Sequence, residues 1–69
     1  MKYAIVIEKT STGFSGYVPD MPGIGVAAET KAKVRKLLRE AVEIYVEEHK
    51  ARGSRVPRAT TVAEYVEAA

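Results

Sequence analysis

Three features of the sequence predict an α+β domain, built as β-β-β-α-β with a single amphipathic helix on one face of one antiparallel-type sheet. A long stretch from Thr30 to Arg52 has helical periodicity. Three short runs ahead of it are rich in β-branched and aromatic residues and are separated by glycine and proline. A fourth run of similar composition, Thr60 to Glu67, follows it.

Taken in order, Tyr3-Ala4-Ile5-Val6-Ile7 is apolar on both sides of a pleat, which suits an interior strand. Lys9 to Gly13 is a turn by composition, with Gly13 available for a positive φ. Phe14 to Val18 alternates, Phe14, Gly16 and Val18 pointing one way and Ser15 and Tyr17 the other. The two runs read as a hairpin. Pro19-Asp20-Met21-Pro22-Gly23 is a rigid loop, because both prolines lack a ladder donor. Gly25 to Glu29 leads as a third strand into the helix. At the helical step Val34, Leu37, Leu38, Ala41, Ile44 and Tyr45 share one face, and Arg35, Lys36, Arg39, Glu40, Glu43, Glu47 and Lys50 the other. Val46 falls on the polar side near Val42. Thr30 is a permitted N-cap, and Gly53 stands where a helix stop places its glycine. Thr60 to Glu67 favours a strand by its threonines, valines and tyrosine, although Thr61 would also cap a short helix. A fourth strand extends the sheet under the helix and is the expectation.

Residues 1–69 form a single domain, near the size where a lone core is marginal. The chain has no cysteine, so disulfides and thiolate zinc sites are excluded. With no staple available, a small core points to self-association, a homodimer or higher. A formal net charge of +2 is too small to create a strong field around the whole molecule. No apolar run approaches the ~18 residues of a membrane span, and the opening run lacks a small-residue cleavage site. A cytoplasmic protein is expected.

Few constellations suggest chemistry. Glu8, Asp20, Glu29, Glu64 and Glu67 are the carboxylates outside the helix, and none is paired with another on a strand as a metal-dependent nuclease requires. His49 has no motif partner and reads as a surface or cap residue. Gly23-Ile24-Gly25 lacks the Lys-Ser/Thr of a phosphate loop. No catalytic, metal or cofactor residue is assigned. Lys31, Lys33, Arg35, Lys36 and Arg39 crowd the first half of the helix, where cations oppose the macrodipole by typically ~0.3–1 kcal/mol each. Such a cluster is either a solvated face or a contact for an acidic partner. The aromatic residues do not interleave with it as a nucleic-acid platform needs, so direct nucleic-acid binding is not expected.

Met1-Lys2-Tyr3 opening a strand, Gly16-Tyr17-Val18-Pro19-Asp20-Met21-Pro22-Gly23, and a Thr-led amphipathic helix together resemble the HicB antitoxin family. The resemblance covers essentially the whole chain, and the Tyr-Val-Pro-Asp-Met-Pro-Gly run is its most specific part. It implies the partial ribonuclease-H-like fold of that family's N-terminal domain. It also implies a partner, a HicA-type messenger-RNA-cleaving toxin whose active site the antitoxin masks. The family usually carries a second, DNA-binding domain, which is not expected within these residues. Ile24 stands where the family often has cysteine, and Lys31 and Lys33 where it favours acidic residues. The partner-binding candidates are Asp20, Met21 and Pro22 on the rigid loop, with Lys31, Lys33, Arg35 and Arg39 on the helix. Two alternatives are an orphan interaction module without a toxin and a vestigial metal-dependent ribonuclease.

Overall fold

The computed structural model describes residues 1–69. Strands β1 (Val6–Lys9), β2 (Phe14–Tyr17) and β3 (Gly25–Ala28) precede one helix, α1 (Lys31–Ala51). The sheet order is β1-β2-β3, antiparallel throughout, with Val6 opposite Tyr17 and Tyr17 opposite Gly25. The α+β class and the single helix on one face of the sheet are as the sequence predicts. The fourth strand is not: Thr60 to Glu67 is irregular and exposed, with no strand pairing. β1 is therefore an edge strand and not the interior strand its apolar composition suggested. It also starts later than predicted, at Val6, because its partner strand gives way at Val18 to the proline loop.

Each element has a local cause. Lys9 and Phe14 close the first hairpin across a turn in which Thr10 N–H donates to the Gly13 carbonyl at 2.8 Å, and Gly13 N–H donates to Thr10 Oγ1 at 3.1 Å. Gly13 does not take the positive φ expected of it. Glycine is needed there because a Cβ would collide with the Ala28 carbonyl. In the loop after β2, Met21 N–H bonds the Val18 carbonyl and Ile24 N–H bonds the Met21 carbonyl, two consecutive turns with Gly23 at φ 94°. They fold Met21 back under the helix.

Thr30 caps α1 from extended backbone, φ −131° and ψ 156°, its hydroxyl accepting from Lys33 N–H at 3.1 Å. At the other end Gly53 takes φ 71°. Gly53 N–H bonds the Lys50 carbonyl and Ser54 N–H the His49 carbonyl, the paired bonds of a Schellman stop. His49 is the cap-region residue expected: its Nδ1–H donates to the Tyr45 carbonyl at 2.9 Å and its ring stacks on Tyr45, centroids 4.1 Å apart.

The core is Val18, Met21, Val34 and Leu38, with Ile5, Ile7, Phe14, Val26, Val42, Tyr45 and Val46 packed around it. The buried stripe on α1 thus climbs through Val34, Leu38, Val42 and Val46 in steps of four. Steps of four advance about 40° around the helix each time, so the stripe spirals with the twisted sheet below it. Val46 belongs to this inner stripe, against expectation, while Ile44, predicted to face inward, is 57% exposed. Gly16 supplies the closest approach of sheet and helix. A Cβ on it would stand 2.7 Å from Val34 Cγ1 and 2.9 Å from Leu38 Cδ1.

Candidate functional site

The seven candidate residues fall into three places. Asp20, on the loop after β2, is already engaged within the chain. Its carboxylate accepts from Thr60 and Thr61 N–H at 3.1 and 3.0 Å and from their hydroxyls at 3.3 and 2.7 Å. These bonds, led by that from the Thr61 hydroxyl, favour the charged form and hold the Asp20 carboxyl below its ordinary value. Asp20 is therefore a clamp on the segment that follows the helix. Tyr3 assists it by donating its hydroxyl to the Pro57 carbonyl.

Met21 is fully buried in the core, so the exposed, adaptable contact expected of it does not exist in this fold. Pro22, beside it, is exposed. Lys31, Lys33, Arg35 and Arg39 are all exposed on α1, but they do not form one patch. Lys31, Arg35 and Arg39 recur at steps of four and line the β1 side of the helix. Lys33 lies on the opposite flank, beside Ala28 and Glu29. The Lys31 ammonium stands 5.8 Å from the Phe14 ring centre, with Lys9 at 5.4 Å on the same ring. Cation–aromatic attraction of this kind, worth ~0.5–1 kcal/mol at an exposed site, offsets part of the dipole penalty at the helix start.

The arrangement missed by the sequence reading is a cleft. The helix packs mainly on β2 and β3, which leaves the inner face of β1 partly open. Three adjoining hollows, two of about 330 Å³ and one of about 420 Å³, run along that side. Their floor is Tyr3, Ile5, Ile7, Leu38 and Val42. Their helical rim is basic at Lys31, Arg35 and Arg39 and acidic at Glu43 and Glu47. The helical period contains that rim, as every fourth residue from 31 to 47. What the sequence does not show is that β1 lacks a neighbour, and without that no cleft is expected.

No three histidine, aspartate or glutamate side chains lie close enough together to hold a metal ion, and no helix is long and apolar enough to cross a membrane. The chain offers an exposed apolar surface rimmed by charge.

Comparison with known proteins agrees with that character. The profile of HicB-like antitoxins of bacterial toxin–antitoxin systems matches residues 3–69. A UPF0150 protein of Archaeoglobus fulgidus is 40% identical over 48 residues, which span 68% of this chain and 70% of the relative. A UPF0150 protein of Thermoplasma acidophilum is 32% identical over 59 residues, 84% of this chain and 86% of the relative. An uncharacterised 14.9 kDa protein of Haemophilus phage HP1, from the rep-hol intergenic region, is 29% identical over 66 residues. There the match takes in 96% of this chain but only 50% of the phage protein. No solved structure gives a significant match. The match over residues 3–69, on a chain whose strands, loop and helix are those described above, shows that the protein belongs to the HicB-like antitoxin family.

Proposed function

We propose that this chain is the antitoxin of a type II toxin–antitoxin pair. On this reading it binds a HicA-type toxin ribonuclease and occludes the active site, acting in the cytoplasm with no chemistry of its own. The observation that carries the reading is the family match across residues 3–69. The exposed basic residues of α1 are the charged surface the chain offers for the contact. A ribonuclease active site that receives a polyanion is itself cationic, so on this reading the basic residues meet acidic side chains at its rim while the bulk of the domain covers the site. The proposed contact runs along the β1 flank of the helix, Lys31, Arg35 and Arg39, with Lys33 on the opposite flank and Pro22 on the loop after β2 proposed as separate contacts. Asp20 enters indirectly, by holding the segment after the helix in place. Met21 acts only through the core.

The test is co-expression of the tagged chain with the small reading frame adjacent to its gene. The expected result is a frame that arrests growth alone, is harmless when paired, and copurifies with this chain at fixed stoichiometry. A frame that is harmless alone, or that fails to copurify, contradicts the proposal and favours an interaction module without a toxin. Charge reversal of Lys31, Lys33 and Arg35 to glutamate is expected to weaken the complex by about tenfold or more in calorimetry. The variant's mass is measured alongside, so that lost self-association is not read as a lost toxin contact. Unchanged affinity removes the basic half-helix from the contact.

A further inference from the structure

The cleft beside β1 is electrically polarised from end to end. Its floor is apolar and half-buried at Tyr3, Ile5, Ile7 and Val42, with Leu38 buried beneath. Along the helical rim the first three charges, Lys31, Arg35 and Arg39, are cationic, and the next two, Glu43 and Glu47, are anionic. All five are exposed, and Lys50 stands at the far lip beyond the two carboxylates.

This order works against the helix that carries it. Acids stabilise the first turn of a helix, and α1 has none there. The pairs Lys31–Arg35, Arg35–Arg39 and Glu43–Glu47 set like charges four residues apart, where they repel, and only Arg39–Glu43 attracts. Local helix stability therefore does not account for the rim. Its two blocks of charge instead match a neighbour whose charges are divided the same way, with the signs exchanged.

The cleft also selects the form of that neighbour. β1 begins at Val6, so Met1, Tyr3 and Ile5, which border two of the three hollows, carry no strand pairing for an extended segment to continue. A helix satisfies its own backbone and needs no such ladder. The rim from Lys31 to Glu47 runs about 24 Å, one charge at each ~6 Å step, and a helix alongside presents its own every-fourth residues at that step.

We propose that the cleft receives an amphipathic helix of a partner protein. Its apolar stripe lies on Tyr3, Ile5 and Val42, its acidic half faces Lys31, Arg35 and Arg39, and its basic half faces Glu43 and Glu47. The inference deepens the contact proposed above, and rests on that reading only in assigning the helix to the toxin.

The test uses a synthetic peptide, so that it does not depend on finding the partner. The peptide has about 18 residues, enough to span the rim as a helix, with a leucine stripe, glutamates in its first half and lysines in its second. Its N-terminus is bromoacetylated. The chain has no cysteine, so one is placed at either end of the cleft, as Lys31→Cys or Lys50→Cys. Rates are normalised to bromoacetamide. The acid-first peptide is expected to alkylate position 31 at least tenfold faster than position 50, and a base-first peptide the reverse. Exchanging the rim charges, Arg35→Glu/Arg39→Glu/Glu43→Arg/Glu47→Arg, is expected to reverse both preferences with helical circular dichroism unchanged. A peptide of the same composition with its charges evenly mixed is expected to bind at least tenfold more weakly. The proposal is overturned if the acid-first peptide does not bind, if both peptides label the same end, if the exchange leaves the preference unmoved, or if the mixed peptide binds as tightly. None of these results touches the co-expression test of the toxin reading, and a frame that fails to copurify leaves the peptide result standing.

Discussion

Gly16 lies directly beneath the helix, where the separation of sheet and helix is set by two side chains, Val34 and Leu38. Replacing it with alanine forces one methyl into contacts of 2.7–3.0 Å, one of them with the Val6 carbonyl, which is backbone and yields little. Gly16→Ala is expected to lower unfolding stability by about 1–3 kcal/mol, read as a reduced urea midpoint at unchanged slope. An unchanged midpoint would mean that the layers separate more freely than this packing allows. Asp20 makes a second prediction, in pH. Its carboxyl titrates below the ordinary carboxylate value because Thr61 and Thr60 bond the charged form. The clamp therefore contributes its full stability above the ordinary carboxylate range and loses it as pH falls through the lowered value. Protection of the Thr60 and Thr61 amides, read as exchange relative to an unstructured chain at the same pH, is expected to be lost on that acid limb and to be absent at every pH in Asp20→Ala. Neither residue's role was legible in the sequence. The strand alternation puts Gly16 on an inward face but does not say what it meets. Asp20 acts on residues forty positions away, beyond any local pattern.

At the scale of the elements, the helix was the most legible part. Its period, the Thr30 cap and the Gly53 stop all declare themselves within a few residues, and the structure places the helix at Lys31–Ala51. Thr30→Ala is expected to cost about 0.5–2 kcal/mol in unfolding experiments. No acidic residue in the first turn is present to share the load. A loss below a few tenths would show that the cap is dispensable. The face of the helix was less well read, because a straight projection at one angle ignores the twist of the sheet. It brought Ile44 inward and put Val46 outside, where the packing does the reverse. The three strands were recognisable from composition and punctuation. The fourth run, Thr60 to Glu67, has the same composition and does not pair, since a strand's composition records a readiness to join an edge, not which edge it joins.

At the scale of the molecule, the shape follows from that unpaired segment. The radius of gyration is 13.5 Å, against about 11 Å for a compact chain of this length, and the longest extent is 46 Å. A domain with four fully buried apolar side chains and no disulfide has little core to spare, and its exposed surface is large for its mass. Its open apolar cleft beside β1 is surface that a partner could cover. Membership of the HicB-like antitoxin family gives that character a purpose, and the proposed purpose is inhibition by occlusion. The family signature was readable in the loop from Tyr17 to Gly23, but the surface that meets a partner was not. The basic residues that looked like one cluster along the sequence separate onto two flanks of the helix, and the cleft beside β1 exists only because that strand is an edge. The central claim is tested most directly by titrating this protein into an RNA-cleavage assay of the adjacent frame's product. Occlusion predicts that cleavage falls linearly to zero at a fixed molar ratio, while this protein alone cleaves nothing with or without divalent metal. Cleavage that persists undiminished in excess of this protein would contradict the account.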